Sequence, residues 1–170
     1  ALNVILFGKT ATSFIVLNVL IHIANTYMVF VVVKKLFSKY YQEPSFSFWL
    51  PLFTACFFGI HPMHVESVIW ISERKDVLYT LFFLLSLNKY IDFLEVKTNK
   101  LYWISLLFFI LSCLSKAMAV VLPVVLIIID YWFEKDIIKS LKNKIPFFAI
   151  SLLIGLITLD VQGGGDFHGL

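Results

Sequence analysis

The stretch PLFTACFFGIHPMHVESVIWISERKDVLYTLFFLLSL, residues 51–87, places a densely polar link between two apolar runs. Within the link, residues 61–76 include two histidines, three acids and two bases. Elsewhere in the chain the charges sit at the ends of long apolar runs, where solvation explains them. A polar cluster at the mouth of a membrane bundle is a candidate functional site.

The composition requires lipid as the solvent. Hydrophobic residues make up 60% of the 170 residues and charged residues 15%, against about 45–50% and about 25% in soluble domains. So short a chain cannot bury that much apolar surface in a soluble core. We therefore expect an all-α fold, a polytopic bundle of membrane helices with the lipid bilayer as a partner.

The basic residues and the cysteines argue against two other classes of protein. The net charge of +3 does not predict nucleic-acid binding, because the basic residues lie in short loops, where they set membrane topology. Cys56 and Cys113 lie inside apolar runs and are interpreted as small core residues. The Cys/His spacing of a metal site is absent, so neither a metal nor a cofactor is predicted.

Six apolar runs predict six membrane segments. They cover about residues 10–33, 46–60, 77–93, 101–115, 117–133 and 145–159. Several are shorter than the ~20 residues of a perpendicular span. Such lengths are typical of helices inside a bundle whose ends reach polar vestibules.

The loops on the two sides of these segments differ in positive charge. Ten of the 14 lysines and arginines fall on one side, and four fall on the other: Lys9, Arg74, Lys75 and Lys116. The richer side is predicted to be cytoplasmic. The polar cluster and the short link at Lys116 then face a periplasm or a lumen.

Within the cluster, His61, His64 and Glu66 are the candidate catalytic residues. Pro62 ends the preceding helix and leaves both histidines in a turn. Helical spacing from Val65 onward predicts a short amphipathic helix at the membrane surface. A partly buried Glu66 could act as a general base or proton relay, but a surface carboxylate or a partner for Arg74 or Lys75 fits its position equally well. His61 could instead be a structural cap.

Three basic residues on the same side could neutralise an anionic ligand such as a phosphate, namely Arg74, Lys75 and Lys116. For Arg74 and Lys75 the alternative is a flanking pair at a helix start. Lys116 stands between two apolar runs and needs a partner. A bound phosphate and a salt bridge to Asp76 or Glu73 are equal alternatives for that partner.

The first apolar run carries a polar face. Asn18, His22 and Asn25 stand at positions i, i+4 and i+7, so they share one side of a helix. Inside a membrane this side must contact other helices, and interhelical hydrogen bonding is preferred to ligand contact. Near the other end of the bundle, Asp130 is interpreted as an interfacial residue paired locally with Lys135.

Three motifs follow one another along the chain. The first is Leu6-Phe7-Gly8 with Asn18-x-x-x-His22-x-x-Asn25, and the second is His61-Pro62-x-His64-x-Glu66-Ser67-Val68-x-Trp70 with Ser72-Glu73-Arg74-Lys75-Asp76. The third is Ser115-Lys116-Ala117-Met118, which leads to Asp130-Tyr131-Trp132. Together they resemble the transmembrane and tetratricopeptide repeat protein family, which is similar to the protein O-mannosyltransferases. The family usually has proline where this chain has Ala117.

The resemblance implies a type-C glycosyltransferase fold with its active site on the periplasmic or lumenal face. Such enzymes move a sugar, for example mannose or a similar hexose, from a polyprenyl-phosphate donor to a protein or glycan acceptor. The resemblance also implies two sets of site residues. Stabilisation of the departing phosphate is assigned to Arg74, Lys75 and Lys116. Shaping of the acceptor or sugar pocket is assigned to His61, His64 and Glu66.

On this interpretation residues 1–170 form a single transmembrane domain from a protein of the bacterial inner membrane. The chain is expected to be a fragment, with the catalytic loop upstream and the tetratricopeptide repeats downstream. Two rival functions remain open, a non-catalytic scaffold that presents such repeats and a transporter of a lipid-linked sugar. Charges at the segment ends argue against the transporter, because transporter sites lie near the bilayer midplane.

Overall fold

A computed structural model describes residues 11–40, 43–133 and 137–163, and every regular element in these ranges is helical. In chain order the α-helices are α1 (Ala11–Ser38), α2 (Pro44–Ile60), α3 (His64–Ile69), α4 (Arg74–Val96), α5 (Asn99–Ser115), α6 (Leu122–Trp132) and α7 (Ile137–Gly163). Short 3₁₀ helices at Ile71–Glu73 and Ala117–Val121 lead into α4 and α6. The predicted all-α fold is confirmed.

Three helices are long and apolar enough to cross a membrane, and the stretches concerned are Thr12–Ser38 in α1, Arg74–Val96 in α4 and Leu141–Val161 in α7. The other apolar helices are shorter, at Ser45–Ile60, Asn99–Ser115 and Ala117–Trp132. Each of the six predicted segments therefore contains a helix. The fold is an all-α helical bundle of the membrane-protein type.

The helix bounds differ from the predicted bounds where charged residues extend a helix beyond its apolar run. α4 begins at Arg74, although its apolar run begins at Val77. α7 begins at Ile137, about two turns before the apolar run predicted from residue 145. Apolar periodicity does not detect such extensions, because a helix continues past the membrane wherever its side chains find partners.

Antiparallel packing of α4 on α5 forms the centre of the bundle. The Ser86 hydroxyl donates a hydrogen bond to the carbonyl of Ser105 over 2.8 Å, and the Ser105 hydroxyl donates to the carbonyl of Ser86 over 2.9 Å. Small hydroxyl residues at such a contact let two helix backbones approach closely and remain hydrogen-bonded. This reciprocal pair fixes the register of the two helices.

The hydrophobic core lies between α4, α5, α6 and α7. Phe109 and Phe147 are fully buried with ring centroids 5.4 Å apart, and Leu122 and Leu126 fill the space beside them. By contrast, α1 and α2 expose large apolar side chains on their outer sides, for example Phe53, which is 68% exposed. Such surfaces suit lipid as the surrounding solvent.

The structure buries Asp130 between helices and pairs it with Lys144, a contact that the sequence did not predict. The side chain is 1% exposed and forms an ion pair with Lys144, which is fully buried. The Tyr90 hydroxyl donates to Asp130 over 3.0 Å and accepts from the Lys144 ammonium over 2.7 Å. The early start of α7 carries Lys144 into the core, whereas Lys135 lies outside the described residues.

The polar link folds as two short helical pieces rather than one amphipathic helix. α3 ends at Ile69 because Trp70 has an extended backbone, with ψ at 126°. The Asn18 amide donates to the carbonyls of Val68 and Trp70 over 3.2 and 3.3 Å. The first bond satisfies a carbonyl in the last turn of α3, and the second joins the bond that the Trp70 carbonyl already accepts from the backbone N–H of Glu73 over 3.2 Å.

Candidate functional site

A small polar cavity lies where α1, α3, α4 and the Ala117–Val121 turn meet. Its volume is about 170 Å³. Phe58, Val77, Tyr79 and Met118 supply part of its wall. The polar part of the lining consists of His22, Asn25, His64, Ser67, Asp76, Thr80 and Lys116. The folded link therefore brings polar groups from four separated parts of the chain to one place.

An ion pair closes one side of the cavity. The Lys116 ammonium lies 2.6 Å from Oδ1 of Asp76, and both side chains are less than a third exposed. Among the described residues, the hydrogen-bond partner of Asp76 Oδ2 is the Ser67 hydroxyl, at 3.5 Å. Of the two alternatives for Lys116, the structure shows the salt bridge to Asp76. The same ammonium still lines the cavity, so an anionic ligand could share it.

The three histidines of this region lie together. The His64 ring is 5.5 Å from the His22 ring and 6.0 Å from the His61 ring, centroid to centroid. Partial burial lowers the pKa of His64 below its ordinary value of 6.5, and the two neighbouring histidines lower it further. His64 therefore favours the neutral form, which can accept or donate a proton at one nitrogen each.

The polar face of α1 contacts backbone carbonyls. Nε2 of His22 lies 3.0 Å from the carbonyl of Gly59, which requires the proton on Nε2. The Asn25 amide donates to the carbonyl of Val77 over 2.9 Å. Interhelical hydrogen bonding, the preferred expectation for this face, is thus what the structure shows. His22 and Asn25 also line the cavity, whereas Asn18 is not among its lining residues.

Arg74 and Lys75 point away from the cavity. Nε of Arg74 donates to Oδ1 of Asn18 over 3.0 Å, and its guanidinium stacks 5.0 Å from the ring centroid of Phe14. Lys75 is half exposed and lies 3.6 Å from Glu73. Of the three predicted phosphate-binding residues, the structure brings only Lys116 to the cavity. Arg74 instead holds the start of α4 against α1.

Glu66 and His61 lie at the edge of the region. Glu66 is exposed on α3, and it does not line the cavity. Nδ1 of His61 accepts a hydrogen bond from the backbone N–H of Met63 over 3.3 Å, which is the geometry of a turn cap. Of the candidate catalytic residues, His64 is the one whose side chain faces the cavity.

Sequence reasoning missed the central position of Asp76. It named Asp76 within a motif and as a partner for Lys116, and it gave Asp76 no role of its own in the site. The available signal was the helical spacing from Asp76 to Thr80, whose hydroxyl donates to the Asp76 carbonyl over 2.7 Å. That spacing places both residues on the side of α4 that faces the cavity.

An apolar groove adjoins the cavity. It runs between α1 and α2, has a volume of about 610 Å³ and includes Thr26, Phe30, Leu52 and Cys56 in its walls. His22 lines both the groove and the cavity. A polar compartment and a hydrocarbon-lined compartment therefore lie side by side.

Fold and cavity together define an all-α membrane protein with a small polar cavity at one end of its bundle. The chain is similar to a Caenorhabditis elegans protein named as a protein O-mannosyl-transferase, with 28% identity over 163 residues. The matched part is 95% of this chain and 22% of the relative, so the chain spans about a fifth of that protein. This likeness supports a glycosyltransferase-like function in general. No family model matches the chain, and no solved structure matches it significantly.

Proposed function

We propose that this chain is the part of a longer membrane glycosyltransferase that binds a lipid-linked sugar donor. In the proposed reaction a hexose, for example mannose, passes from a polyprenyl-phosphate carrier to a protein or glycan acceptor. The observation that carries the proposal is the polar cavity beside an apolar groove. A polyprenyl-phosphate sugar has a polar head and a hydrocarbon chain, and the two compartments match these two parts.

Lys116 is proposed to bind the donor phosphate. Its ammonium faces the cavity, and an incoming phosphate would share or replace the contact with Asp76. As the sugar leaves, negative charge grows on the phosphate, and a fixed cation in a low-dielectric site stabilises that charge. The general base that deprotonates the acceptor is proposed to lie in another part of the longer protein.

His64 is proposed to contact the sugar or the acceptor from the cavity wall. Glu66 and His61 remain proposed contributors at the rim, where a bound acceptor could reach them. Arg74 is proposed to act indirectly, by fixing α1 and α4 relative to each other. These assignments keep the residues that the sequence singled out, but they separate ligand contact from helix positioning.

The active face is proposed to be the non-cytoplasmic one, which is the periplasmic face if the protein belongs to a bacterial inner membrane. Support comes from the two ends of α4. The Asp76–Lys116 pair lies at its start, whereas Lys35 and Lys89 pair with Asp92 near its end. The sequence puts ten of its 14 lysines and arginines on the side where α4 ends and four on the side where it starts, so the end of α4 is the expected cytoplasmic end.

Transport of a lipid-linked sugar is the second candidate function. The observation that favours it is the buried pair of Asp130 and Lys144 inside the bundle. Buried ionisable residues in membrane helices often mark substrate or proton pathways. A transporter would move the donor across the membrane without cleaving the bond between sugar and phosphate.

The test is sugar transfer from a radiolabelled polyprenyl-phosphate hexose in membranes that contain the full-length parent protein. We expect transfer by the wild type and a loss of about 10²-fold or more in Lys116→Ala, the scale seen when one charge-stabilising donor is removed. Lys100→Ala is the matched control, because Lys100 is an exposed lysine at the other end of the bundle. Glu66→Gln measures the contribution of the rim.

Equal transfer by Lys116→Ala and wild type would remove the phosphate assignment. Wild-type turnover in Glu66→Gln would remove Glu66 from the essential residues. Donor translocation without cleavage would replace the transferase with the transporter, and the absence of both would favour the scaffold.

A further inference from the structure

We propose that the cavity is the subsite for the sugar ring of the donor, and that Oδ1 of Asn25 accepts a hydrogen bond from one sugar hydroxyl. Asn25 is then a residue that determines donor specificity. This inference rests on the proposed function, because it names the part of the donor that the cavity holds.

The first observation is an acceptor without a partner. Asn25 is 1% exposed, and its Oδ1 is the buried side-chain atom that lacks a hydrogen bond among the described residues. Donation from its Nδ2 to the carbonyl of Val77 fixes the orientation of the amide, since a flipped amide would set two oxygens against each other. A buried acceptor without a donor destabilises the protein.

Asn18 shows the contrasting case on the same helix. Its amide nitrogen also donates to backbone carbonyls, but its Oδ1 accepts from Nε of Arg74 over 3.0 Å. Both asparagines thus join α1 to the link or to α4. Among the residues that the structure describes, Asn25 is the one that combines an unpaired buried oxygen with a place in the cavity lining.

The second observation is the size of the cavity. About 170 Å³ is well below the roughly 300–1,000 Å³ of pockets that enclose drug-sized ligands. It suits a single sugar ring rather than a peptide or an oligosaccharide. Phe58 and Tyr79 offer flat apolar surface for the C–H side of such a ring, and Ser67 and Asp76 offer polar atoms for its hydroxyls.

The third observation concerns the chemistry of the ligand. The phosphodiester of a polyprenyl-phosphate sugar has no O–H, so it can accept from Lys116 but cannot donate to Asn25. Sugar hydroxyls both donate and accept, and they can pair with Oδ1 of Asn25 and with the uncrowded Oδ2 of Asp76. The cavity therefore fits a hydroxyl-bearing ring whose phosphate lies at Lys116.

The experiment compares donors that each lack one hydroxyl. Transfer by the full-length parent protein in membranes is measured as kcat/KM for the native donor and for each monodeoxy donor. We expect wild type to discriminate against one monodeoxy donor by about tenfold or more, as expected when a buried acceptor loses its donor. In Asn25→Leu, the ratio of kcat/KM for the native donor to kcat/KM for this monodeoxy donor should fall to the ratio found for the other monodeoxy donors.

Two variants separate this role from a loss of folding. Asn18→Leu removes an equivalent amide from α1, so it should lower transfer from all donors by one common factor and keep the discrimination. Should Asn25→Leu fail to accumulate, Asn25→Ser shortens the side chain and should lose the discrimination in its place.

The failures of the two proposals are distinguishable. Transfer by wild type with equal treatment of every monodeoxy donor, or unchanged discrimination in Asn25→Leu, would overturn the sugar subsite and keep the transferase. A competition binding assay with the same donors tests the opposite possibility, in which the subsite exists but the protein is not a transferase. Discriminating binding that depends on Asn25, without transfer, would keep the subsite and overturn the transferase, whereas neither binding nor transfer would overturn both.

Discussion

At the residue scale, Asp76 and Lys116 lower the energetic cost of each other's charge. A lone charge in a membrane bundle is expensive, and pairing reduces that cost. Because only one carboxylate oxygen holds the ammonium, at 2.6 Å, the pair keeps donor and acceptor capacity for a ligand. This is why a residue pair that looks structural can also form a binding site.

His64 makes stability depend on pH. Its pKa is lowered from 6.5, first by burial and then by its neighbours, so the unfolded chain takes up the proton before the folded protein does. The stability contributed by neutral His64 is present above pH 6.5 and is lost as the pH falls through the lowered folded-state pKa. The titratable groups that surround it are His22, His61, Asp76 and Lys116.

Thermal unfolding of the full-length parent protein in detergent, measured between neutral pH and pH 5, checks this expectation. The unfolding temperature should fall on acidification, and it should fall less steeply in His64→Gln, which cannot take up the proton. An identical slope in wild type and His64→Gln would show that other groups cause the acid sensitivity.

Residue types and spacing predicted which side chains lie near one another, but not which way each side chain points. The motif places Arg74, Lys75 and Asp76 in succession, and helical geometry sends successive side chains in different directions. Arg74 therefore meets α1, Lys75 meets solvent and Asp76 meets the cavity. The start of α4 decides these directions, and the sequence predicted that start at about residue 77, three residues after the helix begins.

At the element scale, Gly59 controls the distance between α1 and α2. A Cβ atom at this position would lie 3.1 Å from Cγ2 and 3.2 Å from Oγ1 of Thr26. Thr26 cannot rotate freely, because its hydroxyl donates to the carbonyl of His22 over 2.9 Å. The carbonyl of Gly59 in turn contacts His22, so the contact between the two helices also positions a cavity residue.

Gly59→Ala should therefore destabilise the protein by about 1–3 kcal/mol, the usual cost of overpacking. The matched control is Gly155→Ala in α7, where an added Cβ meets nothing within 4 Å and helix propensity favours alanine by about 1 kcal/mol. Thermal unfolding of both variants in detergent measures the difference. Partial rescue of Gly59→Ala by Thr26→Ser would identify the Cγ2 contact, and equal stability of both alanine variants would contradict this packing.

Helix existence was predictable for all six apolar runs, and helix ends were not. The break at Trp70 follows from hydrogen bonds that Asn18 donates to the link from 50 residues away along the sequence. Local periodicity has no access to such a distant partner. It predicted one continuous amphipathic helix where the structure has α3 and a 3₁₀ turn.

At the scale of the whole molecule, the Asp130–Lys144 pair joins α6 to α7, and Tyr90 joins both to α4. The sequence suggested neither contact. The sequence analysis counted Lys144 among the lysines of the cytoplasmic loops. The charge asymmetry assigns a side of the membrane to a lysine, but it does not show how deeply the side chain is buried in the bundle. The long start of α7 brings this lysine into the core, where it is fully buried.

Removing one partner of this pair should cost about 3–5 kcal/mol, because it leaves an uncompensated buried charge. We expect Asp130→Leu and Lys144→Met each to lower the unfolding temperature strongly. The double variant should be more stable than either single variant, since apolar groups replace both charges. Thermal unfolding and the rate of proteolytic cleavage at α7 measure the stability of the three variants relative to wild type. A loss in the double variant equal to the sum of the two single losses would show that the two side chains act independently.

The most direct test of the central claim, that the cavity binds the donor head group, is photocrosslinking. The probe is a polyprenyl-phosphate sugar with a photoreactive group on the sugar, added to membranes that contain the full-length parent protein. We predict labelling of α1, the start of α4 and the turn at Ala117–Val121 that unlabelled donor prevents and Lys116→Ala abolishes. Labelling near Lys35 and Asp92 at the opposite end of α4, or labelling that unlabelled donor does not reduce, would contradict the account.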